Sequence, residues 1–223
     1  HHISVSIQAD EIISRVNGDL LGGIERLFPE RLGKGHDAPE SPRQCEWGGT
    51  QGMPAGFENN AQPVAAGGDG YIQYLDTDRL LSLAKEHDLI LRLNRRPGHY
   101  VVAGSTLMHA WPADKLDDEV AEQLNGAFII GTQRTPAQDI EYAINQLVEV
   151  AVRALSPGIN DPFTAMTCVD RLSTALRRIA LREFPSSLRY DEDEKLRVIA
   201  PTITFAGIVD AAFNQIRQYA RQS

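Results

Sequence analysis

The sequence predicts an α+β fold, a small β-rich unit with one inserted helix followed by an α-helical bundle. Three observations predict it. Between Gly70 and Trp111, short runs of aliphatic, aromatic and β-branched residues alternate with turn residues, the mark of strands. From Thr135 to Ile179, and again after Thr202, apolar residues recur every three or four positions, the mark of amphipathic helices. The chain has 223 residues and is 42% hydrophobic, which is long enough to bury a core and too apolar for a disordered polymer.

Taken in order, Ile3 to Phe28 is expected to be helical. Ile12, Val16, Leu20, Ile24 and Leu27 share one stripe, with Arg15, Asp19 and Arg26 on other faces. Asn17-Gly18 and Gly22-Gly23 interrupt it, each internal glycine costing about 1 kcal/mol against alanine. The helix opens without a cap, so residues 1–30 are expected to continue something upstream, as a membrane-proximal helix. Residues 31–69 hold eight Gly and four Pro and few large aliphatic residues, so this stretch is expected to be a loop or linker.

The β-rich unit is expected over residues 70–112. Tyr71 to Leu75 makes a strand, and Asp76 caps a helix carrying Leu80, Leu83 and Ala84 on one face. Leu89 to Leu93 makes a second strand. His99 to Ala103 and Thr106 to Ala110 are expected to pair as a hairpin around Gly104-Ser105. Residues 113–223 are expected to form the bundle. Its helices run from Asp114 to Asn125 and from a Thr135 cap with Pro136 in the first turn to Leu155. A third starts at Asp161-Pro162, with Met166, Val169, Leu172, Leu176 and Ile179 inside. The last opens at Thr202, with Phe205, Val209, Ala212, Phe213 and Ile216 in register.

Composition excludes several functions. With 22 Lys plus Arg against 30 Asp plus Glu, the formal charge is −8, which argues against a nucleic-acid groove. No run approaches the ~18 apolar residues of a membrane span. Two cysteines, Cys45 and Cys168, do not make a disulfide scaffold. The histidines show no metal-ligand spacing, and the expected hairpin sets His109 opposite Tyr100 and His99 opposite Ala110, on different sheet faces. Gly67-Gly68-Asp69-Gly70 is glycine-rich but feeds a strand, whereas a phosphate loop feeds a helix. No cofactor is called for.

Two segments remain as candidate contact sites for a ligand or partner. The first is Arg134, Thr135, Gln138 and Asp139, where a cation beside a helix start offers an anion free N–H donors and a positive dipole end. The second is the turn Ser156-Pro157-Gly158-Ile159-Asn160-Asp161-Pro162-Phe163-Thr164. Helix capping accounts for Asp161 and Pro162 there, while Asn160 and Thr164 are polar groups that capping does not require, and Ser156 opens the turn as a further candidate contact. Asp139 and Asp161 fall at opposite ends of one helix, too far apart for a carboxylate pair, and Asp139 is expected to pair with Arg177 or Arg178.

The strings Arg134-Thr135-Pro136-Ala137-Gln138-Asp139 and Arg153 to Ala165 resemble those of a bacterial family of predicted membrane proteins of unknown function, DUF2254. Gly70 to Asp76, Arg96 to Val101 and His1-His2-Ile3 share the resemblance, which spans nearly the whole chain except Arg31 to Asp69. It implies transmembrane helices ahead of residue 1, with this chain as the family's water-soluble part. It carries no catalytic residue. The segment Arg96 to Leu107 is also similar to the hairpin of barrel-sandwich, lipoyl-like domains, though without the lysine those domains modify at the tip.

The expected function is therefore that of an extramembrane domain at the cell membrane, on its cytoplasmic side. It would assemble or gate the attached membrane segment, as a homo-oligomer. A small-ligand module, sensing or transport-associated and of unknown ligand, is the alternative. A hydrolase using acidic residues ranks last.

Overall fold

The computed structural model describes residues 2–28 and 53–220. His1, His36, Cys45 and most of the expected linker lie outside these residues. The described chain divides into two compact units, one of residues 2–28, 139–185 and 203–220, the other of 53–138 and 186–202.

The helical unit comprises α1 (His2–Leu27), α5 (Ile140–Ala154), α6 (Pro162–Ala180) and α7 (Phe205–Tyr219). Their stripes meet in one core that includes Leu20, Ile24, Ile144, Leu147, Leu172, Ile179 and Ile208. Each fully buried Leu or Ile contributes roughly 1.5–3 kcal/mol. The α1 stripe buries Val16, Leu20 and Ile24 as expected and differs at its ends, where Ile13 is buried and Ile12 exposed, and where Phe28 is buried beside a partly buried Leu27. In α6 the buried positions are Ala165, Cys168, Leu172, Ala175, Leu176 and Ile179, so Met166, expected inside, faces out. The cap of α7 is Thr204, two residues beyond the expected opening, with its hydroxyl accepting the Gly207 N–H at 3.1 Å.

Helix directions follow from side-chain contacts. Residues 8–16 of α1 and 146–153 of α5 line a common cleft of about 300 Å³. At the other end of α1, Glu25 lies 3.8 Å from Arg178, and Arg182 donates to the Phe28 carbonyl at 2.7 Å. Thus α1 runs antiparallel to α5 and alongside α6. Phe184 meets both Phe28 and Phe205 edge to face, with centroids 5.1 and 6.5 Å away, so α7 starts at the Phe28 end and packs back along α5. The start of α1 and the end of α7 therefore both lie at the end of this unit that carries the α5–α6 turn.

The second unit holds α2 (Phe57–Asn60), β1 (Gln62–Ala65), β2 (Gly70–Leu75), α3 (Thr77–Glu86), β3 (Ile90–Leu93), β4 (Tyr100–Val101) and β5 (Thr106–Trp111). It continues with α4 (Asp118–Asn125), β6 (Phe128–Gly131), β7 (Leu188–Tyr190) and β8 (Leu196–Ile199). Its strands form a five-stranded sheet in the order β1-β5-β3-β8-β7 and a three-stranded sheet in the order β4-β2-β6. Both bury apolar faces with α3 and α4 in one core, including Leu80, Leu91, Leu107, Met108 and Leu124. Asp76 caps α3 as expected, accepting the Arg79 N–H at 3.0 Å.

Four expectations change. The glycine-rich stretch contains α2 and β1, and Pro63 fits because β1 is a sheet edge whose missing N–H costs no ladder bond. The expected hairpin does not form: β4 pairs with β2, and β5 pairs with β1 and β3, which sets His109 opposite Arg92. Gly104 (φ +83) instead closes a tight turn in which Ser105 N–H donates to the Val102 carbonyl at 2.9 Å. Its flanks bond Ala66, at 2.9 and 2.8 Å. The polar stretch 186–199 forms β7 and β8, so the helical elements are not one continuous 113–223 bundle. Finally, α1 is an integral part of the helical core rather than a separate segment.

Candidate functional site

The turn between α5 and α6 is a closed hydrogen-bonded structure. Ser156 folds back on α5, its hydroxyl donating to the Arg153 carbonyl at 2.7 Å. Its own carbonyl accepts the N–H groups of Ile159 and Asn160, at 3.0 and 2.8 Å. Asn160 takes a left-handed conformation (φ +46), which asparagine tolerates better than most residues. That kink returns the chain so that Asp161 N–H reaches the Ala154 carbonyl at 2.8 Å.

Asp161 then starts α6. Its carboxylate accepts the Thr164 N–H at 3.1 Å and the Thr164 hydroxyl at 2.6 Å. Those two bonds, the hydroxyl first, hold its pKa below the usual carboxylate range. Thr164 is thus committed to the cap. Beyond the cap the turn presents apolar groups: Ile159, Phe163 and Met166 are 45%, 77% and 61% exposed.

The first candidate segment resolves differently. The helix start lies not at Thr135 but at Ile140, where Asp139, itself buried, caps by accepting the Tyr142 N–H at 3.1 Å. Residues 132–138 run beside β2. Gln138 bonds both backbone groups of Leu75, accepting its N–H at 2.8 Å and donating to its carbonyl at 3.1 Å. Thr135 donates to the Gln73 carbonyl at 3.3 Å. With a carboxylate already at the helix start, the amide-rich anion cradle expected at Thr135-Pro136 is absent from these residues.

The structure accordingly separates the eight candidates. Arg134, Thr135 and Gln138 belong to the sheet-bearing unit. Asp139 stands at the start of α5, and Ser156, Asn160, Asp161 and Thr164 gather at its far end. At a rise of about 1.5 Å per residue, Asp139 and Asp161 are roughly 22 Å apart, so within one chain they are no acid–base pair. Arg178, an expected partner for Asp139, lies against Glu25. Cys168 is buried and its thiol is pushed up to about 11 by burial, which leaves it protonated and inert at neutral pH.

One cluster has no local sequence signal. Arg92 on β3 forms an ion pair with Glu58 of α2 and stacks over the Phe57 ring, 5.0 Å from its centroid. Opposite it, His109 Nδ1 lies 2.7 Å from the Asn94 side-chain oxygen. Burial first, then the Arg92 charge, pushes the His109 pKa down, so the ring is neutral at pH 7. Arg92 and Glu58 are 34 residues apart, and the pairing of both β3 and β1 with β5 brings these groups together. The cluster fastens α2 to the sheet.

A family model described as "Predicted membrane protein (DUF2254)" matches residues 1–223. An uncharacterized protein of Mycobacterium bovis is 32% identical over 227 residues, covering 98% of this chain and 40% of that protein. Two uncharacterized proteins of Mycobacterium tuberculosis are 32% and 31% identical over the same length and shares. The chain thus spans about 40% of the length of these relatives. No solved structure matches it.

Proposed function

Because the chain belongs to the DUF2254 family of predicted membrane proteins, we propose that it is the extramembrane part of a longer membrane protein, whose attached membrane segment it assembles or gates. One observation carries the reading. The family is described as one of predicted membrane proteins, yet among the described residues no helix is long and apolar enough to cross a bilayer. The helices here are amphipathic, with stripes already buried against one another, which is how water-facing helices are built. Most oligomers of water-facing domains are closed homo-oligomers, so the assembly we assign is a closed homo-oligomer, on the cytoplasmic face.

The test is made on the full-length protein, extracted from membranes and kept in lipid nanodiscs. Native mass spectrometry is expected to give one oligomer whose mass is unchanged on dilution. Labelling of a cysteine placed at exposed Glu86 with an impermeant maleimide is expected in inverted vesicles but not in intact cells. A monomer at every concentration removes the assembly role, and a Glu86→Cys site closed to the reagent in both preparations removes the extramembrane reading.

A further inference from the structure

We infer that the α5–α6 turn is a lipid-contacting tip, which seats Ile159, Phe163 and Met166 in the interfacial layer of the bilayer. The inference rests on the extramembrane reading above and adds which end of the helical unit meets the membrane, and through which residues.

Chain direction is the first support. The relatives hold more than twice the length of this chain, and on the extramembrane reading the membrane segment lies in sequence outside it. The start of α1 and the end of α7 both lie at the turn end of the helical unit, as the cleft between residues 8–16 and 146–153 and the Phe28–Phe184–Phe205 cluster at the opposite end establish. Continuation at either terminus therefore leaves from the turn end. A membrane segment joined to α1 or to α7 brings this turn toward the bilayer in both cases.

Surface chemistry is the second support. Phe163 and Met166 are three residues apart on α6 and so share a face, and Ile159 precedes them in the turn. Between Arg153 and Asp170 the ionisable side chains are Asp161 and buried Cys168 alone. The Asp161 carboxylate is occupied by Thr164, and the N–H groups of Ser156, Ile159, Asn160 and Asp161 are bonded to carbonyls of the turn and of α5, so these groups need no new partner on insertion. An apolar tip without strong positive charge fits shallow insertion among lipid headgroups and upper acyl chains rather than electrostatic adsorption.

Spin labels at single cysteines decide it, in full-length Cys45→Ser protein reconstituted in vesicles of phosphatidylethanolamine and phosphatidylglycerol. Phe163→Cys and Met166→Cys report the tip, and Arg177→Cys, about 20 Å further along α6, reports the opposite end. The ratio of collisions with oxygen to collisions with a water-soluble nickel chelate is expected to be several-fold higher at 163 and 166 than at 177. A water-like ratio at all three overturns the inference and leaves the extramembrane reading standing. Low access to both reagents at 163 and 166 overturns it in favour of a protein contact. A lipid-like ratio at 177 as well would overturn the extramembrane reading itself.

Discussion

Asp161 shows how one side chain sets both the geometry and the acid response of the turn. Its carboxylate holds the Thr164 N–H and hydroxyl, and Asp161→Ala is expected to cost about 0.5–2 kcal/mol, read as a lower urea midpoint at neutral pH. Asp161→Asn keeps an oxygen for the Thr164 N–H and should lose much less. Asp161→Asn also differs from the wild type in pH dependence. A carboxylate whose folded pKa lies below its unfolded value stabilises the fold above that unfolded value, and the stabilisation fades as pH falls through the folded one. Asp161 is lowered, and Asp88, held by Lys115 and then Arg197, is lowered to about 2. The wild type should therefore lose stability as pH falls from about 4 toward 2, the unfolded carboxylate titrating near 3.9. Asp88 is largely exposed, so solvent screens its share. Asp161→Asn should lose less over the same range, and an identical pH profile for both proteins would remove this account of the cap.

At the scale of elements, α1 is the sharpest test of the helical unit. Leu20 is fully buried and lies in the same core as Leu147 and Leu172. Leu20→Ala is expected to cost about 2–5 kcal/mol, while Ile12→Ala, at an exposed position, should change little. Equal small effects would mean that α1 is not a structural member of the unit. The helix α1 is legible from its apolar period alone, and α3 and α6 because period and cap agree, with Asp76 and Asp161 capping where local reading puts them. The start of α5 was misread because Thr135-Pro136 imitates a cap followed by a first-turn proline. Gln138 outweighs that signal by bonding both backbone groups of Leu75, which requires an extended chain there. Met166 was misread as buried because Ala165 and Cys168, one position earlier and two later, satisfy the same helical period with smaller side chains. β7 and β8 escaped because their segment is dense in charge. Arg197 is buried in spite of it, its Nε donating to Asp191 at 2.7 Å and its Nη1 to Asp88 at 2.8 Å.

For the whole molecule, chain order and unit membership do not coincide, because each unit is assembled from separated stretches. The short segment 186–202 leaves the helical stretches and supplies β8, which pairs in parallel with β3, with β7 completing the sheet edge. Its ends return to neighbouring points of the helical unit, since the Phe184 and Phe205 rings are 6.5 Å apart. A short Gly-Ser linker in place of Ser186–Thr202 should therefore let α7 dock as before. The sheet is not so forgiving. Without β8, the strand Ile90-Leu91-Arg92-Leu93 becomes an open hydrophobic edge, Asp88 loses Arg197, and the core residue Val198 is gone. Hydrogen exchange followed by mass spectrometry should then show protection retained in α1, α5, α6 and α7 and lost in β3 and β5, together with a rise in aggregation. Equal protection of β3 before and after the replacement would mean that the sheet does not need the returning strands. Loss of protection in all four helices would mean instead that the helical unit depends on segment 186–202 for its own folding, which its separate core argues against.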